Sequence, residues 1–200
     1  MTKSLEIALV VEDVLSLAVM EKVLSHTGRH FLVMRPQVER GIGNIQRSIH
    51  KYRTASHALA HVVLVDLDHV ACPPLLRSEW ELSNLPQGML FRVAVRSVEA
   101  WLLADRTGFA SFAGIPQNKV SQHPESLDNP KQTLINLVRR SRNRRLASEL
   151  VPTQGSSVPI GPLYNERLSK FVRDQWDVDS ATKSSPSLKR TLDRLQHFMN

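Results

Sequence analysis

The segment from residue 61 to residue 68, HVVLVDLD, constrains the fold more than any other part of the sequence. Its first half is an unbroken run of mostly β-branched apolar residues, which is typical of a strand buried on both faces of a parallel sheet. Asp66 and Asp68 follow where this strand should end, and ligands of open α/β sheets bind at the carboxyl ends of strands. Two carboxylates so close together repel each other unless a cation lies between them. The alternative is one helix-capping aspartate and one solvated aspartate.

Three further apolar runs predict strands, and helical patterns separate them. The strands are expected over residues 5–11, 29–36 and 89–95, the second of them ended by its proline. The intervening helices are expected after Asp13, from Asn44 to about residue 60, and from Pro73 to Trp80. Strands that alternate with helices predict an α/β fold with a parallel sheet flanked by helices.

The pattern changes after Gly108. Helical periodicity recurs around residues 130–145, 163–175 and 187–198, and a loop rich in Gly, Ser and Pro covers residues 152–162. No further strand is evident. We therefore predict an α/β core over residues 1–108 and a helical extension over residues 109–200 that packs on this core.

Composition limits the partners and the compartment. The chain carries a net charge of +7, which favours an anionic partner, with nucleic acid the commonest kind. Its one cysteine, Cys72, excludes an internal disulfide framework and a cysteine-rich zinc site, and fits a reducing cytoplasm. The N-terminal apolar run is closed by Glu12 and Asp13, so we expect no signal peptide. No segment has the ~20 consecutive apolar residues of a membrane span, so we expect no membrane partner.

Carboxylates recur at the predicted carboxyl edge of the sheet. Glu12 ends the first strand, Asp66 and Asp68 end the third, and Glu99 begins the helix after the fourth. In a parallel sheet these ends lie side by side, so the four side chains are expected to converge on one or two divalent cations. Oxygen ligands suit Mg²⁺ or Mn²⁺, and two such ions hold both oxygens of a phosphoryl transfer. For Glu12 and Glu99 the alternative is a favourable interaction with a helix N-terminus.

These residues resemble a known domain. Glu12 after the first strand, with Asp66-x-Asp68 after the third, resembles the TOPRIM (topoisomerase–primase) signature. Residues 95–105, VRSVEAWLLAD, are similar to a motif of a TOPRIM-like family encoded beside ATPases in bacterial phage-defence loci. That family is related to the nuclease part of OLD-type (overcoming lysogenization defect) proteins. Residues 128–134 and 185–189 are also similar to it, so the resemblance spans nearly the whole chain.

The resemblance implies a TOPRIM-type endonuclease that depends on Mg²⁺ or Mn²⁺, cuts nucleic acid in anti-phage defence and acts with an ATPase subunit. It implies metal ligation by Asp66, Asp68 and Glu99, and a metal-ligand or acid–base role for Glu12. It also implies a transition-state cation at Lys189. It leaves the oligomeric state open.

Arginines are the candidates for nucleic-acid contact. Arg96 lies beside the predicted carboxylate cluster, where it can hold a phosphate or pair with Glu99. The densest cationic run can neutralise backbone phosphates, and its alternative role is a solvated helix end. This run comprises Arg139, Arg140, Arg142, Arg144 and Arg145.

Two alternatives from other classes stay open. Paired acids after the first strand, Asp66 after the third and Ser97 after the fourth also look like a response-regulator receiver domain, in which Asp66 would accept a phosphoryl group. Alternatively, the chain is a non-catalytic interaction subunit of an ATPase complex. Two departures from the TOPRIM pattern keep this second alternative open, because Ser16 and Ser97 stand where related nucleases carry acidic residues.

Overall fold

A computed structural model describes residues 4–199 and shows an α/β fold built on a four-stranded parallel sheet. The strand order is β2-β1-β3-β4, and every neighbouring pair is parallel. The α/β fold predicted from the alternation of strands and helices is therefore confirmed. The strands are β1 (Leu5–Val11), β2 (Phe31–Val38), β3 (Ala60–Asp66) and β4 (Met89–Ala94).

Helices connect the strands and make up the remainder of the fold. Within residues 4–199, no helix is both long and apolar enough to cross a membrane. Two single 3-10 turns lie at residues 117–119 and 124–126. The helices are α1 (Val14–His26), α2 (Ile42–Ala55), α3 (Pro73–Glu79), α4 (Val98–Ala104), α5 (Arg106–Ala113), α6 (Pro130–Arg139), α7 (Arg144–Leu150), α8 (Tyr164–Asp174), α9 (Val178–Thr182) and α10 (Pro186–Gln196).

Both faces of the sheet are buried at its central strands β1 and β3, whose successive side chains point to opposite sides. Val62 and Leu64 of β3 join the larger hydrophobic cluster with α1, α4 and the helices that follow them. Val63 and Val65 join the second cluster with α2 and α3. A continuous apolar run in β3 is therefore required, since neither set of alternate side chains meets water.

The C-terminal helices belong to the core of the first face. Trp176 Nε1 donates to the carbonyl oxygen of Trp101 at 3.2 Å, and Trp101 Nε1 donates to Ser187 Oγ at 2.7 Å. Both indole rings are buried. The predicted boundary at Gly108 falls inside α5, so the chain crosses it within a helix.

The prediction that Pro36 ends the second strand was wrong. β2 runs from Phe31 to Val38, and Pro36 pairs in register with Leu9 of β1. A proline is tolerated because β2 is an edge strand, where a missing N–H breaks no ladder on the open side. The predicted cap of α1 is confirmed, since the Asp13 carboxylate accepts from the Ser16 N–H at 2.8 Å.

Asp105, the last residue of the VRSVEAWLLAD motif, links three elements of the fold. Its side chain is buried, and its two oxygens accept from the N–H groups of Gly108 and Asp177, each at 3.0 Å. A Cβ on Gly108 would lie 2.0 Å from Asp105 Oδ2, so this close approach requires glycine. The motif therefore ends in a structural residue that fastens the α9 segment to the start of α5.

Asp105→Ala should lower the free energy of unfolding by about 2–4 kcal/mol, because two backbone N–H groups lose their acceptor in a buried site. Urea denaturation followed by circular dichroism measures this change. Asp193→Ala is the matched control, since Asp193 makes only a surface ion pair with Lys189 and its loss should cost under about 1 kcal/mol. A loss at Asp105 no larger than in the control would contradict the structural role.

Candidate active site

Three neighbouring strands bring acidic residues to one edge of the sheet. Glu12 directly follows β1, Asp66 is the last residue of β3, and Glu99 lies in the first turn of α4, just after β4. Because β1, β3 and β4 are adjacent and parallel, their carboxyl ends lie together. Asp68 follows Asp66 on the same loop and is exposed.

Asp66 lies at the centre of this group. Its pKa is raised well above the usual range, first by burial and then by the negative charges of Glu99, Glu12 and Asp68. Its Oδ1 accepts from the Val98 N–H at 3.0 Å, which satisfies an amide at the start of α4. The charges of the other three predicted carboxylates thus all act on Asp66.

Glu12 contacts the neighbouring strand through its carboxylate. Its Oε1 accepts from the Asp66 N–H at 2.7 Å. Burial raises the pKa of Glu12 to about 7, despite the opposing effect of this hydrogen bond, and the charges of Asp68 and Asp13 act in the same direction as burial. A carboxyl group with this pKa exchanges a proton near neutral pH.

Glu99 is the most buried member of the group, with 1% of its surface exposed. Its Oε1 accepts from the Tyr164 hydroxyl at 2.9 Å and lies 3.5 Å from Lys131 Nζ. Its Oε2 is buried and has no hydrogen-bond partner among residues 4–199. Burial, followed by the charge of Glu99, raises the pKa of Tyr164 well above its usual value, so Tyr164 remains a donor.

Lys131 is the cation that pairs with Glu99, and no sequence motif predicted this role for it. It lies in the first turn of α6. Burial alone would lower the pKa of Lys131, but the carboxylates of Glu99, Asp66 and Asp13 outweigh burial and raise it. Lys131 lies in the segment 128–134, whose similarity to the TOPRIM-like family was the only indication in the sequence that this part of the chain belongs to the site. Part of the repulsion between the carboxylates is therefore offset without a metal ion.

The loops at this edge contain strained backbone. Asp68 and Arg96 have positive φ angles of 49° and 63°, which non-glycine residues rarely adopt. The Asp68 N–H donates to the Arg96 carbonyl at 2.9 Å, and Arg96 Nη1 donates to the Asp68 carbonyl at 3.1 Å. Such strain is common at functional sites, where the surrounding structure holds it. Arg96 thus lies beside Asp66 and Asp68, as predicted, and its guanidinium also stabilises the loop that contains Asp68.

A small cleft opens onto this site. Its volume is about 140 Å³, and Asp66, Asp68 and Lys131 line it together with polar groups of three loops. The full lining is Asp66, Asp68, His69, Arg96, Ser97, Asp128, Asn129, Pro130 and Lys131. Solvent and small ions therefore reach Asp66 and Lys131 from outside.

Lys189 and the arginine run lie elsewhere. Lys189 is exposed on α10, and its Nζ lies 3.1 Å from both carboxylate oxygens of Asp193. Lys189 is absent from the lining of the cleft, and Lys131 is the lysine that contacts Glu99. The run of arginines begins at Arg139, in the last turn of α6. Eight residues of helix, or about 12 Å, separate it from Lys131.

The donor types of the site fit a hard divalent cation in part. Asp66 and Asp68 line the cleft, and Glu99 Oε2 is buried without a hydrogen-bond partner among residues 4–199, so carboxylate oxygens are available as ligands. Across residues 4–199, however, no three acidic, histidine or cysteine side chains are placed as a ready-made metal group. A metal ion would therefore need side chains such as Glu12 to turn away from their present hydrogen bonds. Ser97, whose buried hydroxyl has no hydrogen-bond partner in the described chain, supplies no second acid.

Comparisons with known proteins were made for the sequence and for the structure. No protein-family model matches the sequence, and no curated protein matches it. The chain is similar in structure to the C-terminal region of the Burkholderia pseudomallei OLD protein, with a TM-score of 0.44 and 15% sequence identity. This similarity covers 96% of the present chain and 97% of the other.

Proposed function

We propose that the chain is a metal-dependent nuclease subunit of TOPRIM type that hydrolyses phosphodiester bonds in nucleic acid. The observation that carries this proposal is the carboxylate of Glu99, buried beside Asp66 with one oxygen unpartnered among residues 4–199. Leaving a buried polar oxygen unsatisfied costs about 1–3 kcal/mol, which favours a site that accepts a cation. The resemblance of residues 95–105 to defence proteins motivates the anti-phage role and the ATPase partner.

Each side chain has a defined part in this proposal. Asp66, Asp68 and Glu99 would hold Mg²⁺ or Mn²⁺, with Glu12 as a further ligand. When bound, the cation would lower the pKa of a water molecule and offset charge on the phosphate. Glu12, with a pKa near 7, is suited to take up or release a proton at neutral pH.

The cationic groups would bind the substrate. Lys131 lines the cleft, its Nζ lies 3.5 Å from Glu99 Oε1, and it would stabilise negative charge on a phosphate oxygen. The arginine run at the far end of α6 is exposed and would contact phosphates farther along the same strand. Arg96 is already engaged with the Asp68 and Val70 carbonyls, so its phosphate contact would use its remaining N–H groups.

Cleavage of supercoiled plasmid, single-stranded DNA and single-stranded RNA tests the proposal. The purified chain, alone and with the neighbouring ATPase if one is encoded, is incubated with Mg²⁺ or Mn²⁺ and, separately, with EDTA. We expect cleavage of at least one substrate with metal and none with EDTA. Absence of metal-dependent cleavage of all three, including in the complex, would contradict the proposal.

Lys131→Met should reduce kcat/KM for this cleavage by about 100-fold, because a positioned cation at the reacting phosphate is lost. Lys131→Arg keeps the positive charge and should reduce kcat/KM by less than Lys131→Met does. Lys189→Met removes the lysine that the resemblance indicated, and its effect should stay below about threefold, since Lys189 pairs with Asp193 on the surface. A larger loss at Lys189 than at Lys131 would contradict the assignment of Lys131.

A non-catalytic interaction subunit is the second candidate. The observation in its favour is that Lys131 and backbone N–H groups already engage the carboxylates, without a ready-made group of three ligands in residues 4–199. Tight binding to the ATPase, with no metal-dependent cleavage by the complex, would support this candidate over the nuclease.

A further inference from the structure

The open side of the terminal strand β4 forms the floor of a groove that is larger than the cleft at the carboxylates. β4 is the terminal strand, so one of its edges has no strand partner. Beside it lies a groove of about 750 Å³ with α3 on one side and α10 on the other. Pro73, Pro74 and Arg77 of α3 line one wall, and Arg190 and Arg194 of α10 line the other.

The backbone along this floor offers hydrogen-bonding groups at every second residue. The carbonyls of Gly88 and Ala94 accept from the N–H groups of His61 and Leu67. The backbone groups of the even-numbered residues of β4 therefore point toward β3. The Val95 N–H points the opposite way and donates to Ser187 Oγ. By this alternation, the backbone groups of Phe91 and Val93 face the groove. Such an edge is a template for a further strand.

Four arginines surround the groove. They are Arg77, Arg92, Arg190 and Arg194. Among residues 4–199, none of the four has a carboxylate within 4.0 Å, whereas other surface cations of the chain form ion pairs. Burial and the positive charges of Arg194, Arg190 and Arg77 lower the pKa of Arg92 to about 10. Guanidinium groups close enough to repel one another attract an anionic partner to the groove.

The two walls differ in character. The α10 wall carries Arg190 and Arg194, and Arg92 reaches toward the same helix, where its Nε donates to Thr191 Oγ1 at 3.2 Å. The α3 wall presents Pro73 and Pro74, and its one arginine, Arg77, is engaged there, since Nη2 donates to the Leu82 carbonyl at 2.8 Å. An added strand would therefore direct alternate side chains toward cations and toward apolar surface.

We propose that this groove binds an extended acidic segment of a partner protein, which adds to β4 as a fifth strand with alternating acidic and apolar side chains. The acidic residues would contact Arg92, Arg190 and Arg194, and the apolar residues would pack against the α3 wall. A peptide is favoured over nucleic acid because the floor is a strand edge, whose hydrogen-bonding groups match a polypeptide backbone at a two-residue repeat. The carboxylate site is not required for this binding, so the proposal holds whether or not the chain cleaves nucleic acid.

The test is fluorescence anisotropy with a labelled Glu-Val-Glu-Val-Glu-Val-Glu peptide and the full chain. We expect saturable binding that weakens with salt. N-methylation of one alternate set of residues should weaken binding by about tenfold or more, and methylation of the other set should not, because only one set of N–H groups faces β4. In NMR spectra of the backbone amides, the peptide should shift the resonances of the Phe91 and Val93 N–H groups.

The variant Arg190→Gln/Arg194→Gln should weaken binding by about tenfold, since both side chains are exposed and make no ion pair in the described chain. Arg35→Gln, an exposed arginine on the opposite edge strand β2, is the matched control and should leave binding unchanged. Thermal melting verifies that the variants are folded. No saturable binding at roughly 1 mM peptide overturns the proposal. An equal loss with either methylated set also overturns it, as does tighter binding of a single-stranded oligonucleotide to the same arginines.

Discussion

Asp66→Asn is expected to reduce metal-dependent cleavage by roughly 1,000-fold, a larger effect than that expected of Lys131→Met. Asp66 lies between Glu12 and Glu99, and the negative charges of both raise its pKa. The substitution removes the charge of a proposed ligand with almost no change in volume. Initial rates of substrate cleavage with Mg²⁺ and with Mn²⁺ measure the effect.

This substitution separates charge from structure. An asparagine oxygen can still accept from the Val98 N–H, as Asp66 Oδ1 does at 3.0 Å, so the start of α4 stays capped. Asp128→Asn is the matched control, because Asp128 lines the same cleft but is outside the proposed ligand set. If Asp66→Asn retains more than about a tenth of the activity, the site is not the one that cleaves.

Acidification should stabilise the metal-free protein. Because the pKa of Glu12 is raised to about 7 in the folded chain, the native state binds a proton that the unfolded state releases at lower pH. The stabilisation is fully present below the ordinary glutamate pKa and is lost as pH rises through about 7. From about pH 8 to about pH 5, Glu12 alone should add about 2–3 kcal/mol to the free energy of unfolding. Asp66, whose pKa is also raised, acts in the same direction.

Urea denaturation in EDTA across this pH range measures the effect. Glu12→Gln should flatten the profile and make the metal-free protein more stable at about pH 8, since a buried charge is removed. Mn²⁺ should stabilise the natural protein at that pH by binding the native state. Stability that is unchanged or rises with pH between about 5 and 8 would contradict the pKa of Glu12 and the crowding of the carboxylates.

Local patterns were sufficient to predict the sheet and the positions of its acidic residues. A strand that is buried on both faces has a continuous apolar sequence, as β3 does. Where such a strand ends at a ligand site, its carboxylates come directly after the apolar run. Glu12, Asp66 and Glu99 were predicted for this reason, and the structure brings them together. Their role as metal ligands remains a prediction.

Residues supplied by distant segments were not predictable in the same way. Lys131 and Tyr164 reach Glu99 from α6 and α8, at sequence separations that no local pattern encodes. Lys189 was assigned by resemblance alone, and the structure places its Nζ against Asp193 instead. Pro36 was misjudged because strand order decides whether a proline lies on an edge, and strand order is a property of the whole sheet.

Anomalous diffraction from crystals soaked in Mn²⁺ most directly tests whether the carboxylates of Asp66 and Glu99 bind one cation. We predict one Mn²⁺ peak within about 2.0–2.6 Å of carboxylate oxygens from Asp66 and Glu99, with Lys131 displaced from Glu99. Crystals of Asp66→Asn should lack it. A natural protein saturated with Mn²⁺ that shows no peak there, and keeps Lys131 against Glu99, would contradict the metal centre.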